Sequence, residues 1–267
     1  MSALHPLADV FASARAEGRA ALIGYLPAGF RSIAGGAAAL EALVEGGCDV
    51  VEVGLPYSDP LMDGPVIQQA VQQALDGGVR VSDVVQTAAA LAPSVATVVM
   101  TYWNPVERYG VERFAEGLSS AGVAGVITPD LIPDEAGPWL AAATKYELDP
   151  IFLVAPSSTE ARLRVVCAAG RGFIYAASAM GVTGARTSIG SAASELVARV
   201  RAVTDKPVAV GLGVSNAAQA AEVAGYADGV IVGSAFVRAL LEAATESEGI
   251  AAVRSLAAEL AEGVRAG

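Results

Sequence analysis

The chain has 267 residues, the usual size of one α/β barrel and enough to bury a large core without disulfides or metals. It is 54% hydrophobic and 17% charged, with a formal net charge of −11 and no Lys/Arg cluster, which argues against nucleic acid or an anionic membrane as its main partner. Cys48 and Cys167 fit no redox or zinc spacing and read as buried thiols, and no basic-then-apolar leader opens the sequence.

In chain order, residues 4–17 read as a helix ahead of the first strand. Eight apolar runs follow: Ala21–Leu26, Asp49–Gly54, Ala96–Tyr102, Ala124–Thr128, Ile151–Ala155, Gly172–Ala177, Val208–Gly211 and Gly229–Gly233. Between them lie helical segments at 32–46, 64–77 with 81–91, 107–120, 134–143, 158–169, 191–203 and 216–224, with a last one near 235–265. The uncharged stretch from Val84 to Val106 breaks at Ala92-Pro93-Ser94, so it reads as a helix end and a strand, not a membrane span. Strand and helix in alternation imply parallel pairing through right-handed crossovers. We therefore expect one (β/α)8 TIM barrel over residues 1–267 with an additional N-terminal helix; an open doubly wound sheet is the structural alternative. At the joints, Gly46-Gly47 stops a helix, Pro207 opens a strand, Ser157, Ser158 or Thr159 caps one helix and Ser215 or Asn216 another.

A barrel of this kind binds its ligand over the C-terminal strand ends, with phosphate commonly beside the last strands. Three glycine turns fit that place: Gly181-Val182-Thr183-Gly184, Gly211-Leu212-Gly213 and Gly233-Ser234. Singly they mark loops; at consecutive strand ends they suggest phosphate held by backbone amides. Arg171 and Arg186 lie near them in sequence; either could support the anion, and a surface role is the simpler reading of each.

Within Val50-Val51-Glu52-Val53-Gly54, alternation turns Glu52 away from the valine face and into the barrel. A buried carboxyl there is costly unless paired or functional, and desolvation would raise its pKa toward the range of proton transfer. Asp63 stands eleven residues on, before Gly64-Pro65, where it either caps a helix or faces the same cavity. Tyr102 and Tyr175 are either core or cavity wall. His5, the only histidine, is terminal, which removes serine–histidine and cysteine–histidine chemistry, and no ligand cluster suggests a transition metal. Cofactor-free acid–base work by Glu52 and Asp63 remains.

The segment Glu52-Val53-Gly54-Leu55-Pro56-Tyr57-Ser58-Asp59-Pro60-Leu61-Met62-Asp63-Gly64-Pro65 resembles the signature of the tryptophan synthase alpha chain family. The likeness continues through Gly24-Tyr25-Leu26-Pro27-Ala28-Gly29, Tyr102-Trp103-Asn104-Pro105, Pro129-Asp130-Leu131, Gly181 to Arg186, Gly211-Leu212-Gly213 and Gly233-Ser234. The resemblance implies a lyase that cleaves indole-3-glycerol phosphate to indole and glyceraldehyde 3-phosphate. It implies Glu52 as general acid–base, Asp63 as acceptor for the indole N–H, and Tyr102 and Tyr175 beside the substrate. It implies Gly184, Gly213, Gly233 and Ser234 at the phosphate, Thr183 in a closing loop, and Leu212 on the pocket wall, where some members carry an aromatic residue. It further implies an α2β2 complex in the cytoplasm with a beta chain that holds pyridoxal phosphate, and no cofactor in this chain. The loop around Asp59 and the segment after Pro129 match the family's contact regions. Two rival readings are another phosphate-binding barrel acting on a sugar phosphate and a non-catalytic barrel that only activates a partner; neither has a use for Glu52 and Asp63 in that segment.

Overall fold

The computed structural model describes residues 3–177, 191–211 and 213–267. Its strands are β1 (Ala21–Pro27), β2 (Val50–Gly54), β3 (Ala96–Met100), β4 (Gly125–Ile127), β5 (Asp149–Ile151), β6 (Leu153–Val154), β7 (Ile174–Ala177), β8 (Val208–Gly211) and β9 (Gly229–Val232). The helices are α1 (Leu7–Ala16), α2 (Ile33–Glu45), α3 (Pro65–Asp76), α4 (Val81–Leu91), α5 (Trp103–Tyr109), α6 (Val111–Ser120), α7 (Gly137–Lys145), α8 (Glu160–Ala169), α9 (Ser191–Arg201), α10 (Ala217–Ala224), α11 (Ser234–Glu242) and α12 (Glu246–Ala266). Among the described residues no helix is long and apolar enough to cross a membrane; the uncharged stretch near residues 84–106 divides into α4 and β3.

Every strand pair among the described residues is parallel, and the first strand, β1, bonds to both β2 and the last strand, β9. The sheet runs β5-β4-β3-β2-β1-β9-β8-β7-β6, so its two ends are the consecutive pieces β5 and β6. They are halves of the expected fifth strand. Ile151 still accepts from the Thr128 amide at 3.3 Å, and Phe152 accepts from the Tyr175 amide at 3.2 Å, so bonding passes from one neighbour to the other at Phe152. The ring is thus a (β/α)8 TIM barrel with its fifth strand interrupted.

Alternation along the strands builds two cores. Val51, Val53, Val99, Val126, Val210 and Val230 pack outward with Leu40, Leu43, Ala88 and Phe236 of the helices. Ala21, Ile23, Val50, Val98, Ile151, Ala209 and Ile231 fill the lumen, and Leu7, Phe11 and Ala14 of α1 join them. The Phe11 and Phe173 rings lie 5.6 Å apart, so the extra helix plugs the end where the strands begin. Aspartates ring that same end. Asp49 takes Arg19 through both oxygens at 2.8 and 2.9 Å and also the Leu22 amide, and Asp228 takes the Val208 amide and lies 3.3 Å from both Arg15 and Arg201. Arg171 sits here too, 3.5 Å from Asp149, at the rim opposite the glycine turns. We expect Arg19→Ala to cost about 2 kcal/mol, below the full penalty for an unpaired buried charge because both side chains keep some solvent. Thermal unfolding should show a loss of about 4–8 °C, with ligand binding at the far rim unchanged.

Several boundaries differ from the sequence expectation. The single helix at 107–120 is two helices, because Gly110 takes φ 100°. The last helix is broken between α11 and α12, where Thr245 accepts from the Glu248 amide and Glu248 from the Thr245 amide, a capping box that starts a new helix. Tyr102, Ala155 and Gly233 fall just outside their strands, and Pro207 immediately precedes β8 instead of opening it. Thr159 and Asn216 are the caps of α8 and α10, and Gly47, at φ 100°, follows α2.

Candidate active site

Glu52 lies in β2 between Tyr25 of β1 and Val98 of β3, on the lumen side. It is 2% exposed, and its Oε2 has no hydrogen-bond partner among the described residues. Burial, aided by the nearby charge of Asp63, pushes its carboxyl up to about 8. It therefore carries its proton at neutral pH and can donate it.

Asp63 reaches the same cavity from the loop after β2 and is buried. It does not cap α3: the cap position is Gly64, with no side-chain cap bond, and Pro65 begins the helix. The partner of Asp63 is Tyr102, whose hydroxyl donates to Oδ1 at 3.0 Å while accepting from the Met62 amide at 3.1 Å. Gln68 ties the Asp63 carbonyl at 2.7 Å. Burial raises the Asp63 carboxyl and the Tyr102 bond opposes that rise. Tyr102 starts α5 as its cap residue and packs against Tyr57 with ring centroids 5.5 Å apart. Asp59 is exposed and accepts from the neighbouring Ser58 hydroxyl at 2.6 Å.

Tyr175 lies on β7, and a side chain at Gly211 would meet its hydroxyl at 2.5 Å. Burial, then the charges of Glu52 and Asp63, hold its phenol neutral. Gly213 takes φ 69°, and Gly233 caps α11, whose first residue, Ser234, is buried. The N-terminus of α11 opens at this rim, where a helix leaves its first backbone amides without partners inside the helix. Thr183, Gly184, Arg186 and Leu212 lie outside the described residues. Lys145 and Lys206 are engaged elsewhere, with Glu112 and with the carbonyls of Cys167 and Gly170.

One residue of the cavity stands in the sequence only as part of the Gly24 to Gly29 likeness, with no role assigned to it. Tyr25 is buried, and its phenol is pushed well up by burial and by the charges of Asp63 and Glu52, with Tyr102 and Tyr175 also acting on it. Its parity was the available signal: Ala21 and Ile23 fill the lumen, and Tyr25, in register with Glu52, is the next position of that alternation on β1. The site thus gathers two carboxylates and three neutral phenols over the C-terminal strand ends, an acid, an acceptor and fixed donors. Among the described residues no group of three potential metal ligands occurs.

A family model described as tryptophan synthase alpha chain matches residues 11–265. The chain belongs to the tryptophan synthase alpha chain family. It is accordingly a lyase of the alpha reaction in tryptophan biosynthesis, cleaving indole-3-glycerol phosphate. The alpha chain of Nocardia farcinica is 62% identical over 266 residues, spanning 99% of this chain and 98% of that one. That of Streptomyces avermitilis is 60% identical over 263 residues, 98% and 95% of the two. The structure of Mycobacterium tuberculosis tryptophan synthase superposes with a TM-score of 0.93 at 58% identity, covering both chains fully. A Legionella pneumophila alpha chain keeps a TM-score of 0.86 at 28% identity over 97% and 96% of the chains.

Proposed function

We propose that Glu52 is the proton-transfer group of the alpha reaction and that Asp63 holds the indole nitrogen. The observation that carries this reading is the buried carboxyl of Glu52, raised to about 8, with one oxygen unpartnered and a second carboxylate in the same cavity. Neutral Glu52 delivers its proton to indole C3 and converts the aromatic ring into an electron sink. Asp63, steadied by Tyr102, accepts the indole N–H with its other oxygen and stabilises the positive charge that grows on the ring. The Glu52 carboxylate then takes the proton of the adjacent glycerol hydroxyl; the C–C bond breaks, the aldehyde of glyceraldehyde 3-phosphate forms, and indole leaves aromatic. No Schiff-base lysine is needed. Tyr175 and Leu212 line the pocket, Gly184, Gly213, Gly233 and Ser234 take the phosphate, and Thr183 closes over the site.

The whole chain, 1–267, acts as one catalytic domain in the cytoplasm. Its partner is a beta chain that carries pyridoxal phosphate, in an α2β2 complex into which indole passes directly. Support for a docking face at this rim comes from Leu61, 73% exposed, and Ile132, 43% exposed, on the two loops that match the family's contact regions. Beside Ile132 lies a cavity of about 410 Å³ lined by Leu131, Phe152, Leu153 and Val166. The test is indole release from indole-3-glycerol phosphate by the purified chain, with and without a beta chain. We expect release in both cases and a higher rate with the partner; no release in either would reject the reading.

A further inference from the structure

Tyr25 and Glu52 are neighbours in register on β1 and β2, both facing the lumen. The next lumen-facing position on β2 is Gly54, roughly 6.6 Å further toward the mouth, the height through which a glutamate side chain climbs. That position holds no side chain, and Tyr25 occupies its space: a Cβ on Gly54 would stand 2.6 Å from the Tyr25 hydroxyl and 2.8 Å from its Cζ. On its other side the ring rests against Gly233, whose added Cβ would lie 3.0 Å from Cδ1. The phenol is thereby wedged between two strand ends, with its hydroxyl at Gly54, one lumen position beyond Glu52 on β2. Its neutral state makes it a donor and not a base.

Resting on the proton-transfer role of Glu52 above, we propose that Tyr25 is a positioning residue whose hydroxyl donates to the Glu52 carboxylate as the glycerol proton is taken. While Glu52 is neutral, its Oε2 lies unpartnered among the described residues. Once the proton has gone to C3 the carboxylate needs a donor, and the phenol over Gly54 supplies one without competing for the indole nitrogen or the phosphate. A donor that favours the ionised form lowers the carboxyl pKa, so its removal raises it.

Tyr25→Phe tests this through kcat, KM and the pH profile of indole release. We expect kcat to fall about tenfold, the effect of losing one hydrogen bond to a charged group, with KM within about twofold. The alkaline limb should move up by about one pH unit, because Glu52 keeps its proton longer. Gly54→Ala retains the phenol but evicts it, and should move the limb the same way. An unmoved limb in both folded variants overturns the proposal, whether or not kcat falls, since wall packing alone would not shift it. Glu52→Gln is measured alongside: indole release by that variant would reject the Glu52 role itself, independently of Tyr25.

Discussion

Glu52→Gln should lower kcat by about 10³-fold, since general acid–base catalysis is typically worth 10² to 10⁴. The amide keeps the shape of the side chain but has no proton to give to C3 and cannot accept one from the glycerol hydroxyl. Affinity for a phosphate-bearing substrate analogue should change by less than about threefold, because the phosphate turns lie on other strands. Single-turnover indole release and analogue titration separate the two effects. Undiminished release would remove Glu52 from the mechanism. The same variant should alter the response of stability to pH. In the folded chain the Glu52 carboxyl is raised from 4.5 to about 8. Its contribution to stability is therefore full below the ordinary carboxylate range and is lost as pH rises through about 8. The Gln protein lacks that decline, so its melting temperature should fall less than wild type between about pH 5 and 8.

Asp63→Asn should cost about 10²-fold in kcat, the scale of removing one preorganised electrostatic contact to developing charge. It should also displace the pH profile in a definite direction. Asp63 raises the Glu52 carboxyl through its charge. Without that charge Glu52 loses its proton at lower pH, and the alkaline limb of indole release should move downward, opposite to the shift expected for Tyr25→Phe. A limb that stays in place would mean that the two carboxyls do not share one electrostatic environment in the working enzyme.

The strands and the inward turn of Glu52 were legible because period-two alternation is a local property of the chain. Asp63 was ambiguous for the converse reason. Asp-Gly-Pro reads locally as a helix start, while the deciding partner, Tyr102, stands 39 residues away. Gly110 and Thr245 broke expected helices where apolar spacing continued, since a positive φ and a capping box leave the hydrophobic pattern intact. The glycine turns were read for their approach to phosphate. Gly211 and Gly233 also give room to the rings of Tyr175 and Tyr25 from adjacent strands, a clearance that only register reveals. Tyr25 received no role from the sequence because an aromatic in a buried strand needs no explanation until its neighbour is known to be a glutamate.

The interruption at Phe152 bears on how this chain behaves among copies of itself. A parallel sheet rich in valine, in a chain that is 54% hydrophobic, is good material for intermolecular strand addition if any strand offers a free side. Here the two terminal strands are three and two residues long, and a single residue joins them. Phe152, moreover, spends its carbonyl on Tyr175. Closure thus leaves no continuous hydrogen-bonding edge among the described strands, and the net charge of −11 adds repulsion between folded molecules. Self-association should depend on opening the ring, not on the surface of the closed one.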